Sequence, residues 1–260
     1  MKLFAAITAV IITVYGYARA EPRATAFSEC AGLREASPVA REQFERNYAA
    51  VYALPLRWQI AGLNAGGAAL NYMVGRSFAL QTAFEGTFAE GIFSDYSARG
   101  ALAWDAQTGF RLAGEIETRT SVIENYGSET IVTANLAAAI ELTESLSFST
   151  LVTNLNRAYF KGGERRARQT SAFAAAYHAS EEFAIEAESV IEIDGKTLGR
   201  AGAYWRAAEF LALRGVYATD GGLRLGAELN PWENLTIELN MERRPRLGVG
   251  SGVLVAYAWR

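Results

Sequence analysis

The sequence predicts an all-β chain, an antiparallel transmembrane β-barrel of about 12–14 strands (14 favoured), behind a short irregular N-terminal segment or plug. Three observations predict it. Many segments alternate strictly between apolar and polar residues, the clearest being Val132, Ala134, Leu136, Ala138, Ile140 and Leu142 interleaved with Thr133, Asn135, Ala137, Ala139 and Glu141. Period two means an extended strand with two unlike faces. The strands follow what reads as an export leader. The connections between them alternate between short and long, as in bacterial outer-membrane barrels and unlike a β-sandwich.

The elements follow in order. Lys2 supplies a charged start, Leu3 to Tyr15 an apolar run, and Ala18-Arg19-Ala20 a small-residue cleavage site. Residues 1–20 therefore read as a signal peptide cleaved near Ala20. Residues 21–46 are irregular, with Pro22, Gly32 and Pro38, and read as a periplasmic N-terminal segment or plug. Within it, Ser37 as cap and Pro38 in the first turn are compatible with a short helix over Pro38–Arg46.

Residues 47–260 form the barrel. Leu56–Met73 reads as a hairpin turning around Asn64-Ala65-Gly66. Strands follow over Phe78–Phe88, Tyr96–Trp104, 110–119, 132–142, Leu146–Val152, Phe173–Ala179, 183–193, Ala201–Ala207, Leu211–Tyr217, 223–229 and 234–241, with a final strand to Trp259. Short connections fall near Gln107, Glu144, Glu181, Glu209 and Trp232. Longer ones run through Asn125–Glu129, Ala158–Arg168, Asp194–Leu198 and Glu242–Leu247, with Asp220-Gly221-Gly222 a tight turn on the same side. In the last strand Val253, Val255, Tyr257 and Trp259 share one face. Val255, Tyr257 and Trp259 read as an aromatic insertion signal for the barrel-assembly machinery, although Arg260 follows the last aromatic.

Composition narrows the functional classes. No stretch after Glu21 approaches the roughly 18 apolar residues of a spanning helix. A hydrophobic fraction of 50% suits strands that show half their residues to lipid. Without Lys2 and Arg19, 23 basic residues face 28 acidic ones, a net charge near −5 that argues against nucleic-acid binding. Cys30 and His178 are each the sole residue of their type, so neither a disulfide within the chain nor a His/Cys metal site is expected. No cofactor is implied. No base and nucleophile are paired in the pattern, so no enzyme is expected. A soluble β-protein also alternates, but the leader, loop rhythm and aromatic last strand favour the membrane.

Several motifs resemble the FadL-like superfamily, most closely its PorV/PorQ-type branch. Pro22-Arg23-Ala24-Thr25-Ala26 is similar to the opening of those mature chains. Cys30-Ala31-Gly32-Leu33 stands where the family carries Asn-Pro-Ala-Gly-Leu, with Glu29-Cys30 replacing Asn-Pro. Gly202-Ala203-Tyr204, Phe210 to Gly215, Asp220 to Gly226 and Arg246-Leu247-Gly248 resemble the family's last hairpins and closing phrase. The resemblance implies an outer-membrane barrel of a Gram-negative-type bacterium with fourteen strands and an N-terminal plug. It further implies either passive transport of small or hydrophobic solutes, or a partner or shuttle role with secretion-system components.

The lumen is the candidate site. Strand parity places inside it Arg99, Arg111, Glu115, Glu117, Arg119, Glu141, Glu186, Glu188, Glu192, Arg200, Arg206, Arg214, Arg224, Glu228 and Glu238. One reading is a polar conduit tuned by charge, with the acidic strand 184–194 facing the arginines of 201–224 as separated walls. The other is a self-satisfying Arg–Glu network that fills a narrow barrel, and barrel size favours it. Lys161, Arg165, Arg166 and Arg168 make an outer loop basic. That loop suits lipopolysaccharide phosphate or an acidic partner, and equally a solvated surface. Phe78, Tyr96, Trp104, Phe110, Phe173, Tyr177, Trp205 and Trp259 share the lipid-facing parity of an interfacial girdle contacting outer-membrane lipid.

Overall fold

Alternation of side chains along every strand lets one chain wrap a polar interior in an apolar sleeve, and the computed structural model shows that arrangement. It describes residues 37–40, 44–54, 63–89, 91–159, 168–193, 195, 197–245 and 248–259. The signal-peptide assignment, Cys30, Lys161, Arg165 and Arg166 lie outside the described residues.

Fourteen strands make the wall: β1 (Asn47–Leu54), β2 (Leu63–Val74), β3 (Phe78–Ala89), β4 (Phe93–Asp105), β5 (Phe110–Ile123), β6 (Gly127–Glu141), β7 (Leu146–Thr153), β8 (Thr170–His178), β9 (Phe183–Glu192), β10 (Thr197–Ala208), β11 (Leu211–Ala218), β12 (Leu223–Trp232), β13 (Leu235–Arg244) and β14 (Gly248–Trp259). Each pairs antiparallel with the next, and β1 pairs with β14 from Asn47↔Trp259 to Ala53↔Val253. The barrel is closed, with every strand bonded to two neighbours, as a lipid-embedded sheet requires.

Strand β6 shows the alternation in full. Asn135, Ala137 and Ala139 are buried, whereas Val132, Leu136 and Ile140 are more than 40% exposed. The same outward exposure recurs at Leu80, Leu102, Ile116, Phe173, Ile185, Leu213, Leu225, Leu239 and Val253 on other strands. An apolar surface that encircles the molecule is a lipid contact. Aromatics mark its two rims. Trp104 and Phe110 meet edge-on at 6.4 Å near the end where β1 begins and β14 finishes. Tyr96 sits 6.0 Å from Phe88 and 6.3 Å from Phe84 toward the opposite, loop end.

Three expectations are corrected. The first hairpin does not turn at Asn64-Ala65-Gly66; those residues lie inside β2, and its partner β1 begins at Asn47. The glycines there serve close approach instead. A Cβ on Gly67 would stand 2.3 Å from the Phe84 carbonyl oxygen and 2.7 Å from the Tyr52 hydroxyl. The Pro38–Arg46 helix is, in its described part, a turn. Ser37 Oγ accepts from the Val39 amide at 3.5 Å and the Ser37 carbonyl accepts from the Ala40 amide at 2.9 Å, a geometry that Pro38 favours by its fixed φ. The long loops are mostly tight. Residues 124–126 suffice to join β5 to β6, 193–196 to join β9 to β10 and 245–247 to join β13 to β14. Positive φ at Asn125, Gly127, Gly195 and Gly248 lets the strands run nearly to the turn.

The wall is uneven in height. Strand β6 runs from Gly127, yet its ladder with β7 stops at Leu136↔Val152. Beyond that point a side chain replaces a strand. Asn156 Oδ1 accepts from the Ala134 amide at 3.0 Å, its Nδ2 donates to the Val132 carbonyl at 2.9 Å, and the Leu155 amide donates to the Ala134 carbonyl at 2.8 Å.

The candidate site in the barrel lumen

Many inward-facing residues are small: Ala79, Ala103, Ala113, Ala137, Ala139, Ala172, Ala174, Ala184 and Ala212 are buried, and Val39 of the N-terminal segment packs among them. Phe44 packs against the same cluster. Gln81 Nε2 donates to the Pro38 carbonyl at 3.0 Å, which ties the segment to β3. Residues 37–40 thus lie inside the barrel. Beside them remains a cavity of about 610 Å³ bordered by Ser37, Val39, Arg111, His178, Glu186 and Arg206.

Arg111, Glu141, Glu186 and Arg206 border this space, and further charges stand along the inward wall. Arg111 pairs with Glu141 at 2.9 Å, Arg200 with Glu188 at 3.0 Å and Arg168 with Glu192 at 2.9 Å. Arg119 grips Asp95 through Nε, at 2.8 and 3.0 Å, and through a terminal nitrogen, while Ser121 donates to the same carboxylate at 3.0 Å. Arg99 and Glu117 are cross-strand partners. Arg214 bridges two carboxylates that stand opposite each other, bonding Glu228 and lying 3.5 Å from Glu238. Asn230 donates to Glu228 at 3.0 Å and accepts from Thr236 at 2.8 Å. Arg224 and Arg244 share Glu242, at 3.9 and 2.6 Å. Asn135 donates to the buried Glu115 at 2.7 Å and accepts from the Asn154 amide at 2.8 Å.

Of the residues read from parity, Arg111, Glu115, Glu186, Glu188, Arg214 and Glu238 are buried, Arg99, Glu117, Arg119, Glu141, Glu192, Arg200, Arg224 and Glu228 are half-buried, and Arg206 is exposed where it borders the cavity. The arrangement of charge differs from separated walls. Glu188 and Glu192 are each neutralised by an arginine on, or next to, an adjacent strand, because antiparallel pairing puts them within reach there. These pairs join strands that are neighbours or next neighbours, so they stiffen the wall around the remaining space. Pattern reading missed Asp95, Asn135, Asn154 and Glu242. Asp95 shares the parity of Arg99 and was findable. Asn154, buried with φ of 53°, carried no such signal. Val255 and Tyr257 face outward on β14, and Trp259 closes its end.

The fold and the lumen define a membrane-spanning β-barrel of the outer-membrane kind. The sequence matches no protein-family model and no curated protein. In structure it is similar to the toluene transporter TodX of Pseudomonas putida, with a TM-score of 0.62 at 10% identity over 90% of this chain and 95% of that one. A TodX variant lacking S2S3, described as a monoaromatic hydrocarbon channel, gives 0.57 at 10% identity over 85% and 92%. The toluene transporter TbuX of Ralstonia pickettii gives 0.56 at 8% identity over 83% and 90%. At these identities the likenesses establish the fold alone.

Proposed function

We propose that this protein is an outer-membrane channel for passive passage of small or hydrophobic solutes, with the chain termini on the periplasmic side and the N-terminal segment partly closing the lumen. The observation that carries the reading is the interior itself. Charges are held along the wall, alanines line much of the interior, and a cavity of about 610 Å³ remains beside Val39. A barrel that served only as a packed support would fill that volume. TodX and TbuX are toluene transporters. A small apolar solute is therefore the class to try first. Kinship with the PorV/PorQ-type branch rests on the sequence motifs alone, since the fold is common to the wider superfamily.

Flux through proteoliposomes tests this. Liposomes carrying the signal-free protein should take up toluene-sized or smaller solutes faster than protein-free liposomes. Equal rates with a folded barrel would overturn the reading.

A further inference from the structure

The outward face is almost free of charge. Among the described strand residues of outward parity, Arg243 alone is ionised. It stands on β13 in the row Leu223–Arg243–Val249, one step below the loop end of that strand. Its neighbours Arg224 and Arg244 face inward and share Glu242, whereas Arg243 is exposed and among the described residues pairs with no carboxylate. An arginine on the lipid face is costly at mid-membrane and nearly without cost near the interface. A long cationic side chain so close to a strand's end can hold its head in the headgroup layer and its stem on apolar surface.

Directly beneath it the wall is hollowed. A lipid-side groove of about 530 Å³ runs over the next two rows, Leu225–Met241–Ser251 and Ala227–Leu239–Val253. Its depth follows from side-chain size. Ala227 and Ser251 leave gaps between Leu225, Leu239, Met241 and Val253, and Gly226 and Gly252 thin the wall behind them. Neither glycine can be filled from inside without collision, since a Cβ would meet Arg214 Cγ at 2.7 Å or Leu54 Cδ2 at 2.3 Å.

We infer that this face of β12–β14 is a specific site for one anionic, phosphate-bearing lipid, its headgroup on Arg243 and an acyl chain in the groove below. The complementarity has two parts: a lone cation at headgroup height, and an apolar furrow aligned with it toward the membrane centre. A free phosphate satisfies only the first and a neutral lipid only the second.

Native mass spectrometry of the detergent-solubilised full chain, with lipid A as probe, tests the inference. The wild type should retain one lipid A in preference to phosphatidylcholine. Arg243→Gln should weaken retention about fivefold, the scale of one basic residue at an anionic surface. Ala227→Phe, which fills the groove without touching charge, should weaken it as well. Heat-modifiable migration on gels verifies that both variants fold. Unchanged retention in either folded variant would overturn the proposal. So would displacement by millimolar inorganic phosphate, which would make Arg243 an anion contact only.

Discussion

At the residue scale, the lumen's charges act as wall struts. Arg214 separates Glu228 from Glu238, which are directly opposed across β12 and β13, and both Arg214 and Glu238 are almost wholly buried. Removing one member of a buried ionic group leaves the rest uncompensated, at a cost of about 3–5 kcal/mol. Arg214→Met should therefore lower the denaturant midpoint of the refolded barrel strongly. The double change with Glu238→Leu should recover part of the loss, because one unpaired carboxylate disappears. Asn156 is a second test. It satisfies two edge groups of β6 beyond the end of β7, and each such bond contributes about 0.5–1.5 kcal/mol. Asn156→Ala should accelerate hydrogen exchange at the Ala134 amide while leaving that of Ala137 unchanged.

At the element scale, what could be read from the chain follows the strength of the period-two signal. Strands such as β5, β6, β9 and β13 carry apolar residues on one face and charge or amide on the other, and their parity held through every described ladder. Strand β1 was invisible because Ala49, Ala50 and Ala53 blur its two faces, and Gly66-Gly67 in β2 imitates a turn. Turn lengths were overread because Asn125, Gly127 and Gly248 allow positive φ, so strands continue where composition suggests loop. Arg243 was hidden for the same reason: it fell in a presumed loop, whereas β13 carries it outward to the rim. In the lumen, parity identified which residues face inward. It could not identify their partners, because partnership depends on register between strands. The segment around Val39 is tied to the wall by apolar packing and the Gln81 bond. Gln81→Ala should accordingly raise protease sensitivity in residues 37–46 without loosening the strands.

At the scale of the whole molecule, closure by β1 and β14 leaves two separate surfaces with separate chemistry. The outer one answers to lipid and the inner one to solutes. A fourteen-strand wall need not be filled by side chains, and here much of the interior is lined by alanine and occupied in part by residues 37–40 of the N-terminal segment. On the proposed reading, solute passage depends on the space beside that segment, or on its displacement. Planar-bilayer conductance tests this most directly, comparing the signal-free protein with a form lacking Glu21–Arg41, each shown to be β-folded in detergent by circular dichroism. The account predicts small or infrequent conductance steps for the first and clearly larger ones for the second. Equal conductance in the two forms, or silence in both while folded, would contradict a lumen closed by its N-terminal segment.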